Sequence, residues 1–174
     1  MTSHVWISIA CPDRTGLIAE VAGCLFDHGA NLGDTTFAVL GAGAEFTSVC
    51  EIPDGIALDQ LHAALAALDV LRSADITVRP FTLQPVHEPS ARISHVVVVS
   101  GADRPGLVAR LCEAFAGFGA NIVRLDCERM PEGRGDTYVA RFAVNIPPAS
   151  AANCLATVSN TAEGLQLTCK VEPA

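Results

Sequence analysis

The hydrophobic residues of this chain fall into short runs that switch between two periodicities. Branched apolar runs at 5–9 and 96–99 are too short for helices and predict buried central strands. After each run, apolar residues recur every four positions, which predicts a helix with one buried face. These residues are Leu17, Val21 and Leu25 in the first half and Leu107, Leu111 and Phe115 in the second. Each helix is predicted to end at a glycine, Gly29 or Gly119, because a left-handed glycine commonly closes a helix.

The chain beyond each of these helices has the pattern of a hairpin, a second helix and a last strand. Extended segments flank glycine-bearing loops at 41–44 and 130–136, and the second loop is four residues longer, an insertion expected at the surface. Apolar spacings of three and four predict the second helices. Their buried stripes are predicted to contain Leu58, Leu61, Leu65 and Leu68, and Ala151, Leu155, Val158 and Ala162. The last strands are predicted at 76–83 and 165–171.

The two halves of the chain are copies of each other at a shift of 90 residues. The alignment has no gap between positions 13 and 32, and chance similarity of apolar segments would rarely preserve so many residue types. It pairs Asp13-Arg14-Thr15-Gly16-Leu17 with Asp103-Arg104-Pro105-Gly106-Leu107, and Gly29-Ala30-Asn31-Leu32 with Gly119-Ala120-Asn121-Ile122. The predicted element order is therefore βαββαβ, twice.

This order predicts an α+β protein of two ferredoxin-like domains. Right-handed crossovers turn βαββαβ into a four-stranded antiparallel sheet with both helices on one face. The domains are predicted at 1–84 and 92–174, joined by a linker at 85–91 that contains two prolines. We expect the two domains to pack as an intramolecular pseudo-dimer, because small sheets gain by pairing exposed faces or edges.

Composition and charge narrow the classes of function. Half of the 174 residues are hydrophobic and 17% are charged, which is typical of a globular protein. The 19 acidic and 11 basic side chains give a net charge of −8, so direct nucleic-acid binding is not expected. The imbalance lies in residues 1–84, with 3 basic and 10 acidic side chains, against 8 and 9 in residues 85–174. No apolar stretch reaches the roughly 20 residues of a membrane span, and the N-terminus lacks a signal-peptide pattern, which predicts a cytoplasmic protein without membrane partners.

Cysteine and histidine spacings give no metal, cofactor or catalytic prediction. The seven cysteines form an odd set without a CxxC pair, so buried thiols are expected rather than a disulfide framework or a zinc site. The five histidines lack HxH and HExxH spacing. One thiol stands out, since Cys11 precedes a helix start that could lower its pKa, and a thiol switch remains an alternative.

The duplicated motifs resemble the ACT domain. In that family a βαββαβ unit of this size runs from its first strand into Asp-Arg-x-Gly-Leu and ends its first helix in Gly-Ala-Asn-Ile/Leu, and both halves match. The resemblance implies a regulatory module that binds an amino acid or similar small ligand at a seam between two such domains. A chain of two such domains is similar to the group of tandem ACT regulators that includes glycine cleavage system transcriptional repressors.

The repeated turn and the residues after the first helix are the candidate ligand site. A helix N-terminus attracts a carboxylate, and a glycine without Cβ lets a ligand approach. The resemblance implies that a polar residue after the helix contributes across the seam. The candidate residues are Asp13, Arg14, Thr15, Gly16, Leu17, Asn31 and Leu32, and Asp103, Arg104, Gly106, Leu107, Asn121 and Ile122. The alternatives are structural: the aspartate caps the helix and the glycine makes the turn, while the asparagine bonds its own loop.

The two candidate sites are not expected to be equivalent. Thr15 keeps a backbone N–H and adds a hydroxyl, whereas Pro105 supplies neither, so the first turn is predicted to be the better carboxylate receptor. The helix ends differ as well, with Asp27 and His28 in one copy and Gly117 and Phe118 in the other. The arginines of the second half are interleaved with acidic residues, as on a solvated surface or a protein-partner surface. They are Arg124, Arg129, Arg134 and Arg141.

These observations predict a non-catalytic regulator that senses an amino acid and acts through a protein partner. The resemblance favours transcriptional control of amino-acid metabolism, with a transcription factor as the partner. The alternative is a free-standing regulatory subunit of a metabolic enzyme. A homodimer is a further possible assembly.

Overall fold

The computed structural model describes residues 2–132 and 135–174. The chain divides into two compact units, Met1–Pro85 and Val86–Ala174. A short 3-10 turn at Pro89–Ala91 lies inside the predicted linker and contacts the second sheet. The last part of that segment is therefore bonded to the second unit.

The first unit has the predicted order of elements, with strands longer than their apolar runs. Its elements are β1 (Thr2–Pro12), α1 (Leu17–Asp27), β2 (Asn31–Leu40), β3 (Gly43–Pro53), α2 (Leu58–Ala66) and β4 (Asp75–Pro80). The strands pair antiparallel in the order β2-β3-β1-β4, so the branched run at 5–9 lies in a central strand as predicted. Alternate residues of β1, from Val5 to Ile9, pack with Val21 and Leu61 in one core.

The second unit repeats this architecture. Its elements are β5 (His95–Ala102), α3 (Leu107–Ala116), β6 (Asn121–Glu132), β7 (Gly135–Asn145), α4 (Ala151–Gly164) and β8 (Thr168–Pro173). The strand order is β6-β7-β5-β8, again antiparallel. A second core contains Val97, Leu111 and Phe142. The predicted fold class of two ferredoxin-like βαββαβ units is confirmed.

The structure corrects the prediction of a long loop in the second hairpin. Residues 130–136 were expected to form that loop, but β6 continues to Glu132 and β7 begins at Gly135. Met130 pairs with Thr137, and only residues 133 and 134 of the expected loop lie outside the described residues. The insertion therefore lengthens two paired strands, because the backbone groups of extra residues in a hairpin can satisfy one another across the ladder.

Two helix predictions were also inexact. Helix α2 ends at Ala66, so Leu68 lies beyond it, before a 3-10 turn at Asp69–Leu71 whose Leu71 is buried. The buried residues of α4 are Cys154, Val158 and Ala162, while Ala151 and Leu155 pack at the margin of the core. The last strands are shorter than predicted, since β4 ends at Pro80 and β8 begins at Thr168.

Both copies keep an irregularity at the same point of an edge strand. The register between β2 and β3 shifts between Leu32 and Thr35, and that between β6 and β7 shifts between Ile122 and Arg124. Each shift adds one residue to the edge strand, which bends the strand and increases its twist. In the first copy Gly33 lies at this bulge, where a Cβ atom would be 2.6 Å from the Val49 carbonyl oxygen.

Candidate functional site

The repeated Asp-Arg-x-Gly turn leads from a central strand into a helix in both units. Gly16 and Gly106 precede α1 and α3 with φ values of 87° and 81°, a left-handed conformation that favours glycine. Neither helix has a side-chain capping bond. The interpretation of the aspartates as helix caps is therefore wrong, because a left-handed glycine occupies the capping position.

The arginine of each turn is engaged in a structural contact. Arg14 donates from Nη1 to the Asp69 carbonyl oxygen at 3.2 Å. Arg104 donates from Nη2 to Oε1 of Gln166. Both acceptors lie in the connection between the second helix and the last strand of their unit. The two arginines thus anchor the turn to that connection, which limits their use for a ligand.

The remaining predicted residues divide into accessible and buried ones. Residues 13–16 and 103–106 are exposed in both turns. Leu17 and Leu107 are 3% exposed and belong to the two cores, so their side chains do not face a ligand. The structure therefore supports only the backbone of these two leucines as part of a site.

The residues after the first helices also differ between the copies. Asn31 and Leu32 are exposed at the start of β2, an edge strand. Asn121 donates its amide to the Ser90 carbonyl oxygen at 2.9 Å, and Ile122 packs against the second core. The Asn121 amide is thus bonded to the linker, and not to its own loop as the structural alternative predicted.

An open pocket of about 340 Å³ surrounds the second turn. The turn and the first residues of α3 form one side of it, and Tyr138 of β7 forms the other. At its edge the Asp103 carboxylate binds the Arg129 guanidinium, with 2.6 Å between Oδ2 and Nη2. Asp103 is about one-third exposed and Arg129 about two-thirds exposed, so a solute can reach both charges. The pocket therefore presents a positive and a negative group beside a helix N-terminus.

Sequence reasoning missed Arg129 and Tyr138 as parts of this site. Arg129 was assigned to a solvated or partner-binding surface, and Tyr138 was not considered. The alignment of the two halves contained a usable signal, namely a difference between the copies. Val39 and Ala44 occupy the positions in the first half that match Arg129 and Tyr138. Arg134, another member of the predicted arginine surface, lies outside the described residues.

Tyr138 is held in its protonated form. A hydrogen bond to the Cys127 thiol, partial burial and the negative charges of Cys127 and Asp103 raise the pKa of Tyr138 to about 12, against the opposing effect of Arg129. The Tyr138 hydroxyl therefore stays protonated well above physiological pH.

The cysteines only partly follow the prediction. Cys11, Cys50 and Cys154 are buried and Cys127 is exposed, while the other three are half-buried. Burial raises the pKa of Cys11 above its usual value, more strongly than Arg14 lowers it. The direction of this pKa shift does not support the alternative of an activated Cys11 thiol. All seven thiols are free.

The described residues contain no group of three or more His, Cys, Asp or Glu side chains placed to hold a metal ion. Within residues 2–132 and 135–174, no helix is both long and apolar enough to cross a membrane.

Comparison with known proteins identifies the second unit. Residues 95–152 match the family model of the ACT domain. This part of the second unit is therefore similar to the ACT domain family. This match spans β5 to the start of α4 and includes the Asp103–Gly106 turn, Arg129 and Tyr138. The first unit has the same order of elements and the same turn motif.

Two solved structures share this tandem architecture over the whole chain. A protein of unknown function from Galdieria sulphuraria is 22% identical, with a TM-score of 0.78 and coverage of 100% of this chain and 99% of its own. A candidate glycine cleavage system transcriptional repressor is 14% identical, with a TM-score of 0.66 and coverage of 100% and 98%. At these identities the likeness shows the fold of two βαββαβ units and nothing further. No curated protein matches the sequence.

Proposed function

We propose that this chain is a non-catalytic regulator whose second ACT domain binds an amino acid or a close analogue. The observation that carries the proposal is the Asp103–Arg129 ion pair at the pocket that surrounds the second turn. A zwitterionic amino acid carries the same two charges. Its carboxylate suits the Arg129 guanidinium and its ammonium group suits the Asp103 carboxylate.

Opening this ion pair costs little, which makes exchange for a ligand feasible. An exposed pair contributes about 0–1 kcal/mol to stability because water already screens it. A ligand that engages both charges replaces one pair by two. It also gains the backbone N–H groups and the dipole at the start of α3, which favour a carboxylate. The Tyr138 ring closes one side of the pocket and limits the size of the ligand side chain.

The choice of the second turn differs from the expectation based on Thr15 and Pro105. The first turn has the extra donors of Thr15, but Val39 and Ala44 stand where the second unit has Arg129 and Tyr138. A helix N-terminus without a cationic side chain attracts a carboxylate less strongly than a helix N-terminus with a guanidinium beside it. The charged pair therefore outweighs the loss of donors at Pro105 in this proposal.

Calorimetry with the twenty amino acids, after a thermal-shift screen, tests the proposal. We expect Arg129→Gln to weaken binding roughly tenfold to hundredfold, the loss of a charge-assisted contact. Arg124→Gln is the matched control, since Arg124 is an exposed arginine on the same strand. Thr15→Pro should leave the affinity unchanged. Weaker binding by Thr15→Pro with full affinity in Arg129→Gln would place the site in the first unit.

The proposed regulatory role is transcriptional control of amino-acid metabolism through a protein partner, and the likeness to a candidate glycine cleavage system transcriptional repressor supports it. The second candidate is a free-standing regulatory subunit of a metabolic enzyme. The acidic first unit, with 3 basic and 10 acidic side chains up to residue 84, suits contact with a basic protein surface better than contact with DNA. Affinity purification with and without the ligand separates the two roles: a transcription factor supports the first and a biosynthetic enzyme the second.

A further inference from the structure

Three exposed residues of α1 oppose the local preferences of a surface helix. Phe26 is 78% exposed, although a phenylalanine ring stabilises a fold mainly when it is buried. Gly23 lies inside the helix, where alanine is more stable, and a Cβ atom there would meet no heavy atom within 4 Å. Asp27 lies in the last turn, where the negative end of the helix dipole disfavours a carboxylate. Residues that oppose local preferences in this way concentrate at functional surfaces.

These residues are neighbours on one face of the helix. Side chains three and four positions apart lie next to each other on a helix surface, so Gly23 is flanked by Phe26 and Asp27 on one turn and by Glu20 on the other. All four residues are exposed. Because glycine has no side chain, the surface is lowest at Gly23, with the phenylalanine ring on one flank and the two carboxylates on the opposite flank. We call these four residues the α1 notch.

The α1 notch has a negative charge that the helix does not balance. Helix α1 contains no basic residue, and none of the ion pairs found among the described residues involves Glu20 or Asp27. The next residue, His28, donates from Nδ1 to the Cys24 carbonyl oxygen at 2.8 Å, which holds its ring against the end of the helix. The two carboxylates are therefore available to a cation from outside the unit.

The three arginines of the first unit have other contacts. Arg14 donates to the Asp69 carbonyl oxygen, and Arg72 forms an ion pair with the Asp69 carboxylate. The Arg79 guanidinium lies over the Trp6 ring, 5.4 Å from its centroid. These contacts hold the basic side chains of residues 1–84 at other positions of the unit.

The chemistry of the α1 notch favours a guanidinium. The face of an aromatic ring attracts a cation, a carboxylate accepts its hydrogen bonds, and the C-terminal end of a helix adds a negative potential. Arginine suits this combination better than lysine, because its planar group can stack on the Phe26 ring while its edge donates to the Asp27 carboxylate.

We propose that the α1 notch is a docking site for an arginine side chain of the protein partner. The inference rests on the proposed function in taking the partner to be a protein. The site belongs to the first unit alone, because α3 has Arg110, Glu113, Ala116 and Gly117 at the matching positions. The second copy thus lacks the ring and the open glycine, and has an arginine where the first has Glu20.

The test titrates the isotope-labelled full chain with an alanine-based helical peptide that carries arginines on successive turns. Amide chemical shifts measure binding, and we expect the Gly23 signal and its neighbours in α1 to move. A matched peptide with citrulline, which keeps the shape of arginine without its charge, should leave them in place. Phe26→Ala and Asp27→Asn should each weaken binding of the arginine peptide roughly threefold to tenfold.

Two control variants test whether the position of these groups matters. Phe37→Ala removes a ring that is 41% exposed on β2, and Asp59→Asn removes an exposed carboxylate from α2, so both should bind the peptide normally. Gly23→Leu should abolish binding, because the leucine side chain fills the notch. The thermal midpoints of Phe26→Ala and Gly23→Leu should equal or exceed that of the wild type, which separates lost binding from lost folding.

Four results would overturn the proposal. They are no binding of the arginine peptide, equal binding of the citrulline peptide, equal affinity in Phe26→Ala, and equal weakening by Asp59→Asn and Asp27→Asn. Self-association of the unliganded chain that Phe26→Ala abolishes would also overturn it, by assigning the notch to a second copy. Calorimetry with amino acids on the same variants reports on the second unit, so failure of the docking site and failure of the proposed ligand site are distinguishable.

Discussion

At the scale of single residues, backbone conformation and not lack of space explains why the two turns contain glycine. A Cβ atom at Gly16 or Gly106 would meet no heavy atom within 4 Å, but both residues have φ values above 80°. We expect Gly16→Ala and Gly106→Ala each to lower the free energy of unfolding by about 1–2 kcal/mol, the cost of a left-handed conformation for an L-residue.

The control for these two variants is Gly23→Ala. Gly23 lies inside α1, also with open space around it and without a positive φ. Alanine there should stabilise the protein by about 0.5–1 kcal/mol. Urea denaturation measures all three variants, and an equal effect at Gly16 and Gly23 would contradict the backbone explanation.

The ionisation of Tyr138 gives a prediction about pH. Its pKa is raised to about 12 in the folded chain, above the ordinary value of about 10. The folded protein therefore holds this proton where the unfolded chain releases it. The stability that results is fully present below pH 10 and is lost as the pH rises through about 12.

Absorbance titration of the tyrosinate measures this pKa directly, because the chain contains one tyrosine. Cys127→Ala should lower the pKa toward its ordinary value, since the hydrogen bond to Cys127 is its largest cause. Cys24→Ala should leave it unchanged. An ordinary tyrosine titration in the wild type would show that the hydrogen bond is absent in solution.

The sequence identified the turn motif at this scale but not its surroundings. The repeated glycine of the turn leaves a local signature, and Gly106 is a candidate on sequence because a residue without Cβ lets a ligand approach. Arg129 is 26 residues away from Asp103 and meets it only through the register of β5, β7 and β6. That register depends on how far the hairpin strands extend. The glycine-rich sequence at 133–135 is typical of a loop, so the length of these strands could not be predicted.

At the scale of elements, α2 offers two leucines that differ mainly in burial. Leu61 is fully buried in the first core, and Leu58 packs at its margin. Leu61→Ala should lower the free energy of unfolding by about 2–5 kcal/mol because it leaves a cavity, and Leu58→Ala should cost clearly less. The single tryptophan, Trp6, lies on β1 of the same unit, so tryptophan fluorescence during urea denaturation follows this unit. Equal costs for the two variants would contradict the observed packing.

Element identity could be predicted better than element length. The four-residue spacing of Leu107, Leu111 and Phe115 matches their burial, since a helix repeats its face at nearly that interval. The end of α2 could not be predicted in the same way, because Leu68 keeps the apolar spacing although the helix has stopped at Ala66. Beyond Ala66 the conformation is determined by tertiary packing of the following 3-10 turn, in which Leu71 is buried.

At the scale of the whole molecule, the net charge of −8 predicts that the isolated chain does not bind duplex DNA at physiological salt. Too few phosphate contacts are available to release the counterions that drive such binding. Gel retardation with random and operator-like duplexes should show free DNA in both cases. A sequence-specific shift caused by the purified chain alone would contradict this prediction.

The duplication itself has a consequence for folding in the cell. During synthesis the first unit leaves the ribosome before the second, and similar neighbours risk exchanging segments. The two hairpins, however, are not interchangeable. Phe142, fully buried in the second core, aligns with Ser48, which is fully buried in the first and is hydrogen-bonded to Thr35. A β6–β7 hairpin inserted into the first unit would place a phenylalanine ring in the space of a serine. This difference between the copies therefore disfavours exchange of hairpins between the two units during synthesis.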